Sequence, residues 1–321
     1  MMNHSKTKLF MPGNFEEMTS TVKYLEKKGE KFQFIAGGSD VVPRMKDSKK
    51  NQGHMVSLKF LKKTSSITIK EDEIHLGSFL SLDQIASDSA LKEACPIIGK
   101  VASMVGSPQI RNQATLGGNI LVDNRCVFFN QSVFNKDFHH NCFKDGGSQC
   151  ILVKGAKAND AISCRARSVS DLTPALLVLD AKLVVKSIRG ERTISAREFF
   201  KEDGIAKNNL ETDEVLISVI IPRLHKSVHY KKLTVRKTLD FPSLGVALAK
   251  NEQGFEVAVC GIFSMPMYFN FVFAGGKSLS SSMEESIKNV TSAAPVFKQD
   301  FFPPKYRKEM LGVYIKELFE R

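Results

Sequence analysis

The chain has 321 residues, of which 42% are apolar and 25% charged, the ordinary balance of a globular protein with room for two domains. Its formal net charge is +12, but the lysines are scattered, as at 27–28, 49–50, 62–63 and 231–232, and no block of like charge marks a nucleic-acid tail. No run of about 18 apolar residues spans a membrane, and the opening MMNHSKTKLF has no apolar signal core, so a cytoplasmic protein with a lysine-rich surface is expected.

The stretch GNFEEMTSTVKYLEKKG predicts a helix capped by Asn14, with Glu17 three residues on, Phe15, Met18, Val22 and Leu25 on one face, and Gly29 at its end. KFQFIA predicts a strand that runs into GGSD. SITIKEDEIHLGS predicts a hairpin in which Ile67, Ile69, Ile74 and Leu76 alternate about a charged turn. Two helices follow: SLDQIASD, with Ser81 and Gln84 as a capping pair, and PIIGKVASMVG, with Pro96 in its first turn. Further on come a helix (DLTPALLVLDA), a strand (KLVVKS), a turn (IRGER) and a strand (DEVLISVIIP), and Pro222 marks a domain boundary. Beyond it, HYKKLTVRK and SLGVALAKNEQGFEVAVCGIF precede two helices, with AGGKSLSSS at 274–282 as a loop. The last helix places Met310, Val313, Tyr314 and Leu318 on one face. There is no internal repeat and no regular βαβ series, which makes the chain α+β.

Two glycine pairs carry the first chemical signal. Gly37 and Gly38 follow a strand directly, and Gly117 and Gly118 sit in TLGGN. Glycine lets backbone N–H groups turn toward an anion that approaches closely. A lone pair is commonly a structural turn; two in one domain point to a pyrophosphate cofactor. Neither matches G-x-G-x-x-G or the P-loop, so a Rossmann domain is not expected.

Cysteines carry the second signal. Cys126, Cys142, Cys150 and Cys164 follow the second glycine pair with spacing C-x15-C-x7-C-x13-C. This is neither the close-paired zinc pattern nor that of bacterial ferredoxins. Four thiolates can still meet at one centre, and soft sulfur ligands suit iron–sulfur or zinc. His139 and His140 in the same segment read as solvent-exposed, because four cysteines already suffice. Cys95 and Cys260 read as core residues. No hydrolytic motif, molybdopterin motif or plant-type C-x4-C-x2-C is present.

FIAGGSDVVPRMK and SPQIRNQATLGGNI resemble the two FAD-binding loops of the flavoprotein (medium) subunit of molybdenum hydroxylases, the family that includes xanthine dehydrogenase and carbon monoxide dehydrogenase. SDLTPALLVLDAKLVVKS, RTISAREFF and YRKEMLGVYIKELF extend the resemblance over nearly the whole chain. It implies an FAD-binding domain of two α+β subdomains (PCMH type) over 1–222, divided at about 58, and a smaller α+β C-terminal domain over 223–321. It also implies that Ala36, Gly37, Gly38, Ser39 and Asp40 form one pyrophosphate loop and Thr115, Gly117, Gly118 and Asn119 the other. Asp171 would be a carboxylate near the flavin's ribose and phosphates, or, from its position alone, the cap of the helix that follows.

RCVFFNQS and the widely spaced cysteines form an insert, 122–168, that resembles the one in 4-hydroxybenzoyl-CoA reductase β subunits. That resemblance implies a 4Fe–4S cluster held by Cys126, Cys142, Cys150 and Cys164. The expected function is therefore electron relay between an external carrier such as ferredoxin and partner subunits, a molybdopterin-binding large chain and a 2Fe–2S small chain, with no nucleic acid and no membrane involved. Two alternatives stand beside it: an NAD-reducing xanthine-dehydrogenase-type subunit with a structural insert, and a zinc-containing binding module.

Overall fold

The structure, a computed structural model, describes residues 7–46, 53–131, 142–153, 163–223, 226–237, 239–273 and 279–321. Three sheets follow one another along the chain. The first is parallel, with β1 (Leu9–Phe10), β2 (Phe32–Ile35) and β3 (His54–Ser57) in the order β1-β3-β2. Parallel strands need crossovers, and α1 (Phe15–Lys27) and α2 (Val41–Lys46) lie on the two connections. The α1 cap forms as the sequence predicts: Asn14 Oδ1 accepts from the Glu17 N–H at 2.9 Å. Met18, Val22 and Leu25 are fully buried, each burial contributing about 1.5–3 kcal/mol relative to exposure.

The second sheet is antiparallel: β4 (Ile67–Ile69), β5 (Glu73–Gly77), β6 (Lys182–Ser187), β7 (Gly190–Ser195) and β8 (Val215–Pro222), ordered β4-β5-β8-β6-β7. The predicted hairpin is present, with Ile67 opposite Leu76 and Ile69 opposite Ile74. The turn predicted over 188–192 is shorter than expected. β7 resumes at Gly190, whose φ of +126° closes the reversal at once.

Between β5 and β6 the chain forms α3 (Leu82–Ser87), α4 (Ser89–Ala94), α5 (Pro96–Ser103), α6 (Pro108–Gln113), α7 (Leu116–Ile120) and α8 (Leu172–Val178); α9 (Ala196–Phe199) follows β7. The capping box of Ser81 and Gln84 closes in both directions. α5 and α8 bury apolar side chains against the sheet, and Cys95 lies in the same core.

The third sheet is an antiparallel meander of β9 (Ser227–Leu233), β10 (Leu244–Lys250), β11 (Gly254–Cys260) and β12 (Met267–Val272). Alternation along the strands divides its residues between two cores. Tyr230, Ala247, Ala249 and Ala258 join the core of the second sheet, alongside α8. Val246, Leu248, Val257 and Val259 face α10 (Leu279–Ala293) and α11 (Pro304–Phe319). α10 begins within the segment expected to be a loop, whose residues 274–278 lie outside the described ones.

The buried face of α11 is rotated from the predicted one. Leu311, Ile315 and Phe319, four residues apart, sit inside with Arg307, Tyr314 and Leu318, while Val313 is 44% exposed. Three large apolar groups in line outweigh one valine in setting the helix face. Among the described residues, no helix is long and apolar enough to cross a membrane.

Candidate functional site

Ala36, Gly37, Gly38, Ser39 and Asp40 form the turn from β2 into α2, and Thr115 to Asn119 lead into and through α7. The first segment lies against the residues just ahead of the second. A Cβ on Gly37 would lie 1.7 Å from the Gln113 carbonyl oxygen, so only glycine permits this approach. Gly38 adopts φ +73°, in the left-handed region. The N–H groups of Gly37, Gly38 and Ser39 take no part in the turn's own hydrogen bonds, which run from Val42 N–H to Gly38 O (3.1 Å) and from Arg44 N–H to Asp40 O (3.3 Å). A strip of side-chain-free backbone of this kind suits a pyrophosphate, which needs donors at close range.

The second segment is not the open loop that its glycines suggest. Thr115 caps a short helical turn, its hydroxyl accepting the Gly118 N–H at 3.1 Å. Gly118 is exposed, whereas Asn119 points inward. Its Oδ1 accepts from Ser170 Oγ at 2.9 Å and from the Leu172 N–H at 3.3 Å, so Asn119, rather than Asp171, satisfies the start of α8. Asp171 has helical backbone angles and makes no cap bond. It is buried, pairs with Lys232 at 2.9 Å and accepts the Tyr230 hydroxyl at 3.1 Å. Burial pushes its carboxyl up, and the Lys232 charge opposes that shift. The aspartate thus ties α8 to β9.

A cluster of charges extends from the first glycine turn. Asp40 accepts from Arg44 at 3.1 Å and pairs with Arg125; Arg44 also reaches Asp123 at 3.0 Å, and Asp123 takes Lys144 at 2.8 Å. Burial acts to raise the Asp123 carboxyl, but the charges of Lys144, Lys207 and Arg44 outweigh it and hold the group at about 2. Lys207 donates to the carbonyls of Leu121 and Val122, both at 2.6 Å. Burial draws its ammonium down from 10.5 to about 7, against the pull of Asp123. Between those two values the unfolded chain holds the extra proton, so Lys207 makes stability rise with pH over that window. In urea unfolding across that window, Lys207→Met should flatten the rise relative to the wild type; an unchanged slope would show that the lysine titrates normally. No motif announced this cluster, because its members come from positions 40 to 207 and meet only in the folded chain.

The four cysteines of the insert converge. Cys126, Cys142, Cys150 and Cys164 are each at most 9% exposed and line one cavity with Phe128, Phe129, Leu152, Ala166 and Lys144. Backbone bonds fix each stretch. The Cys126 N–H donates to Asn130 Oδ1 at 2.9 Å, and the Val127 N–H to Gln299 O at 3.1 Å. Cys142 and Gln149 form a β-bridge across a turn closed by Gly146 at φ +85°. The Cys164 N–H donates to Asp203 Oδ1 at 3.2 Å, and its sulfur accepts the Ala166 N–H at 3.4 Å. Reciprocal bonds between Arg125 and Arg167, of 2.9 and 2.8 Å, close the neck of the insert.

Burial pushes the Cys126 thiol up and the Cys164 thiol to about 11. Among the described residues, no group of three or more His, Cys, Asp or Glu side chains is placed to hold a metal ion. His139 and His140 lie outside the described residues. Cys260 is fully buried in the third sheet, as expected of a core residue.

The family model for the FAD binding domain in molybdopterin dehydrogenase matches residues 5–224. The chain is 29% identical over 299 residues to the nicotinate dehydrogenase FAD-subunit of Eubacterium barkeri, covering 89% of this chain and 86% of that one. It is 27% identical over 220 residues to the xanthine dehydrogenase FAD-binding subunit of Escherichia coli O157:H7, covering 67% and 60% of the two. The crystal structure of a cyanide-inactivated Cu,Mo-CO dehydrogenase superimposes with a TM-score of 0.74 at 17% identity, over 98% of this chain and 96% of that one, a likeness of fold.

Proposed function

Because the chain belongs to the FAD-binding family of molybdopterin dehydrogenases, the medium subunits of molybdenum hydroxylases, we propose that it relays electrons between FAD at the paired glycine segments and a 4Fe–4S cluster at Cys126, Cys142, Cys150 and Cys164. It is a flavoprotein oxidoreductase subunit, and FAD when bound supplies two-electron and one-electron exchange. The reading assigns residues 1–222 to FAD, with subdomains meeting near 58, the insert 122–168 to the cluster, and 223–321 to the C-terminal domain. Its partners would be a molybdopterin-binding large subunit and a 2Fe–2S small subunit. The external carrier would be ferredoxin, as the insert's resemblance to 4-hydroxybenzoyl-CoA reductase implies.

In this reading the chain's own groups do the holding. Gly37, Gly38 and Ser39 offer the pyrophosphate amides that the turn's own hydrogen bonds leave unused, and Gly118 is exposed. Asp40 is kept in place by Arg44 and Arg125. Asn119 locks the second segment to α8.

The observation that carries the cluster assignment is the convergence of four buried thiols from separate stretches on one cavity. Soft thiolates in one cavity suit an iron–sulfur cluster or zinc alike; the insert's resemblance to 4-hydroxybenzoyl-CoA reductase selects the cluster.

Anaerobic purification of the complex, with flavin, iron and sulfide analysis, tests this. The expected result is about one FAD, and about four irons and four sulfides on this chain beyond those of a 2Fe–2S partner. Cys→Ser at any of the four positions should remove most of that iron and leave the flavin. FAD without the extra iron would end the cluster assignment, and zinc in its place would establish the zinc alternative.

A further inference from the structure

Lys144 is the charged side chain among the described residues that line the cysteine cavity; the rest are apolar groups and the four thiols. Its side chain is 7% exposed. The ammonium has three N–H donors, and three fixed acceptors meet it: Asp123 Oδ1 at 2.8 Å, Asn124 O at 2.9 Å and Gly204 O at 3.0 Å. It also lies 5.2 Å from the centre of the Phe129 ring, which forms part of the cavity wall. With every donor engaged and the stem packed, the charge cannot swing out to solvent.

The charges behind it do not cancel it. Arg44, Arg125 and Lys144 face the two carboxylates of Asp40 and Asp123, which leaves a net positive layer between the cavity and the first glycine turn. A thiolate-ligated iron–sulfur centre gains negative charge when it takes up an electron. A fixed cation in a poorly solvated wall stabilises that reduced form more than the oxidised one.

We infer that Lys144 is a positioning residue for charge: it raises the reduction potential of the iron–sulfur centre in this cavity, and Asp123 moderates the effect. The inference rests on the cluster assignment above, and analysis of the wild type separates the two: absence of the cluster defeats both, whereas a cluster indifferent to Lys144 defeats this one alone.

The test is an anaerobic redox titration of the intact complex, following the reduced cluster by electron paramagnetic resonance. Lys144→Gln should move the midpoint to more negative potential, Lys144→Arg should leave it within error of the wild type, and Asp123→Asn should move it to more positive potential. A purely structural lysine predicts no such reversal of sign. An unmoved midpoint in Lys144→Gln, or an equal shift in Lys144→Arg, overturns the inference. Should Lys144→Gln lose its cluster, Asp123→Asn decides the matter, and a midpoint that fails to rise there is equally fatal.

Discussion

Gly37→Ala is expected to give protein that loses its flavin on gel filtration. The added Cβ would stand 1.7 Å from the oxygen and 2.7 Å from the carbon of the Gln113 carbonyl, both backbone atoms. A flexible side chain could turn aside; here the two glycine segments must separate. Overpacking of this kind costs up to about 3 kcal/mol, and because the strain falls on the cradle it corresponds to about 100-fold weaker flavin retention. Gly13→Ala is the control: its Cβ would meet only the Glu17 carboxylate oxygens, at ordinary contact distances of 3.5 and 3.9 Å, outside both glycine segments. Flavin content and thermal midpoint, measured on both variants, provide the check. Wild-type flavin content in Gly37→Ala would show that the segments do not act as one cradle.

The second large effect belongs to Asp171. Asp171→Ala leaves the Lys232 ammonium, 6% exposed, without its carboxylate and deprives the Tyr230 hydroxyl of its acceptor. Breaking a buried pair from one side costs about 3–5 kcal/mol, whereas replacing both partners by apolar groups is often neutral. Urea midpoints should therefore fall steeply for Asp171→Ala and recover in large part in the double variant Asp171→Leu/Lys232→Met, short of the wild type by the Tyr230 hydroxyl that still lacks its acceptor. A single variant as stable as the wild type would remove the pair from the account of stability. The double variant also addresses the role near the flavin that the family resemblance implies. If it is stable yet poor in flavin, Asp171 serves the cofactor as well as the fold; if it retains flavin fully, the aspartate is a tie between α8 and β9.

Local chemistry was the legible part of the sequence. Asn14, Ser81 and Pro96 each open a helix where expected, because a cap is settled within four residues. The hairpin about residues 70–72 was equally readable from its alternation. The rotated face of α11 was not, since which stripe turns inward depends on the sheet it meets. TLGGN reads as a loop because glycine disfavours helices, yet Thr115 nucleates a turn there once Asn119 is anchored to Ser170 and α8.

The site divides in the same way. The glycine pairs and the cysteine cluster stand out by residue type; the structure draws the four cysteines to one cavity and sets Gly37 against the residues just ahead of the second glycine pair. Lys144, Asp123, Arg44, Arg125 and Lys207 look like ordinary surface charge in the sequence, and only tertiary contact sets them between the two sets.

The paired bonds between Arg125 and Arg167 bear on how such an insert can be carried at all. They bring the two ends of residues 126–166 together, so the surrounding sheet meets the same short neck whatever lies beyond it. Loop-closure entropy grows only with the logarithm of length, about 0.6 kcal/mol for each doubling. The host fold is thus nearly indifferent to how long the excursion is, and only the ends must be kept in register. An insert of this kind can in this way be gained, lengthened or lost at one address while the two glycine segments ahead of it in the chain keep their geometry.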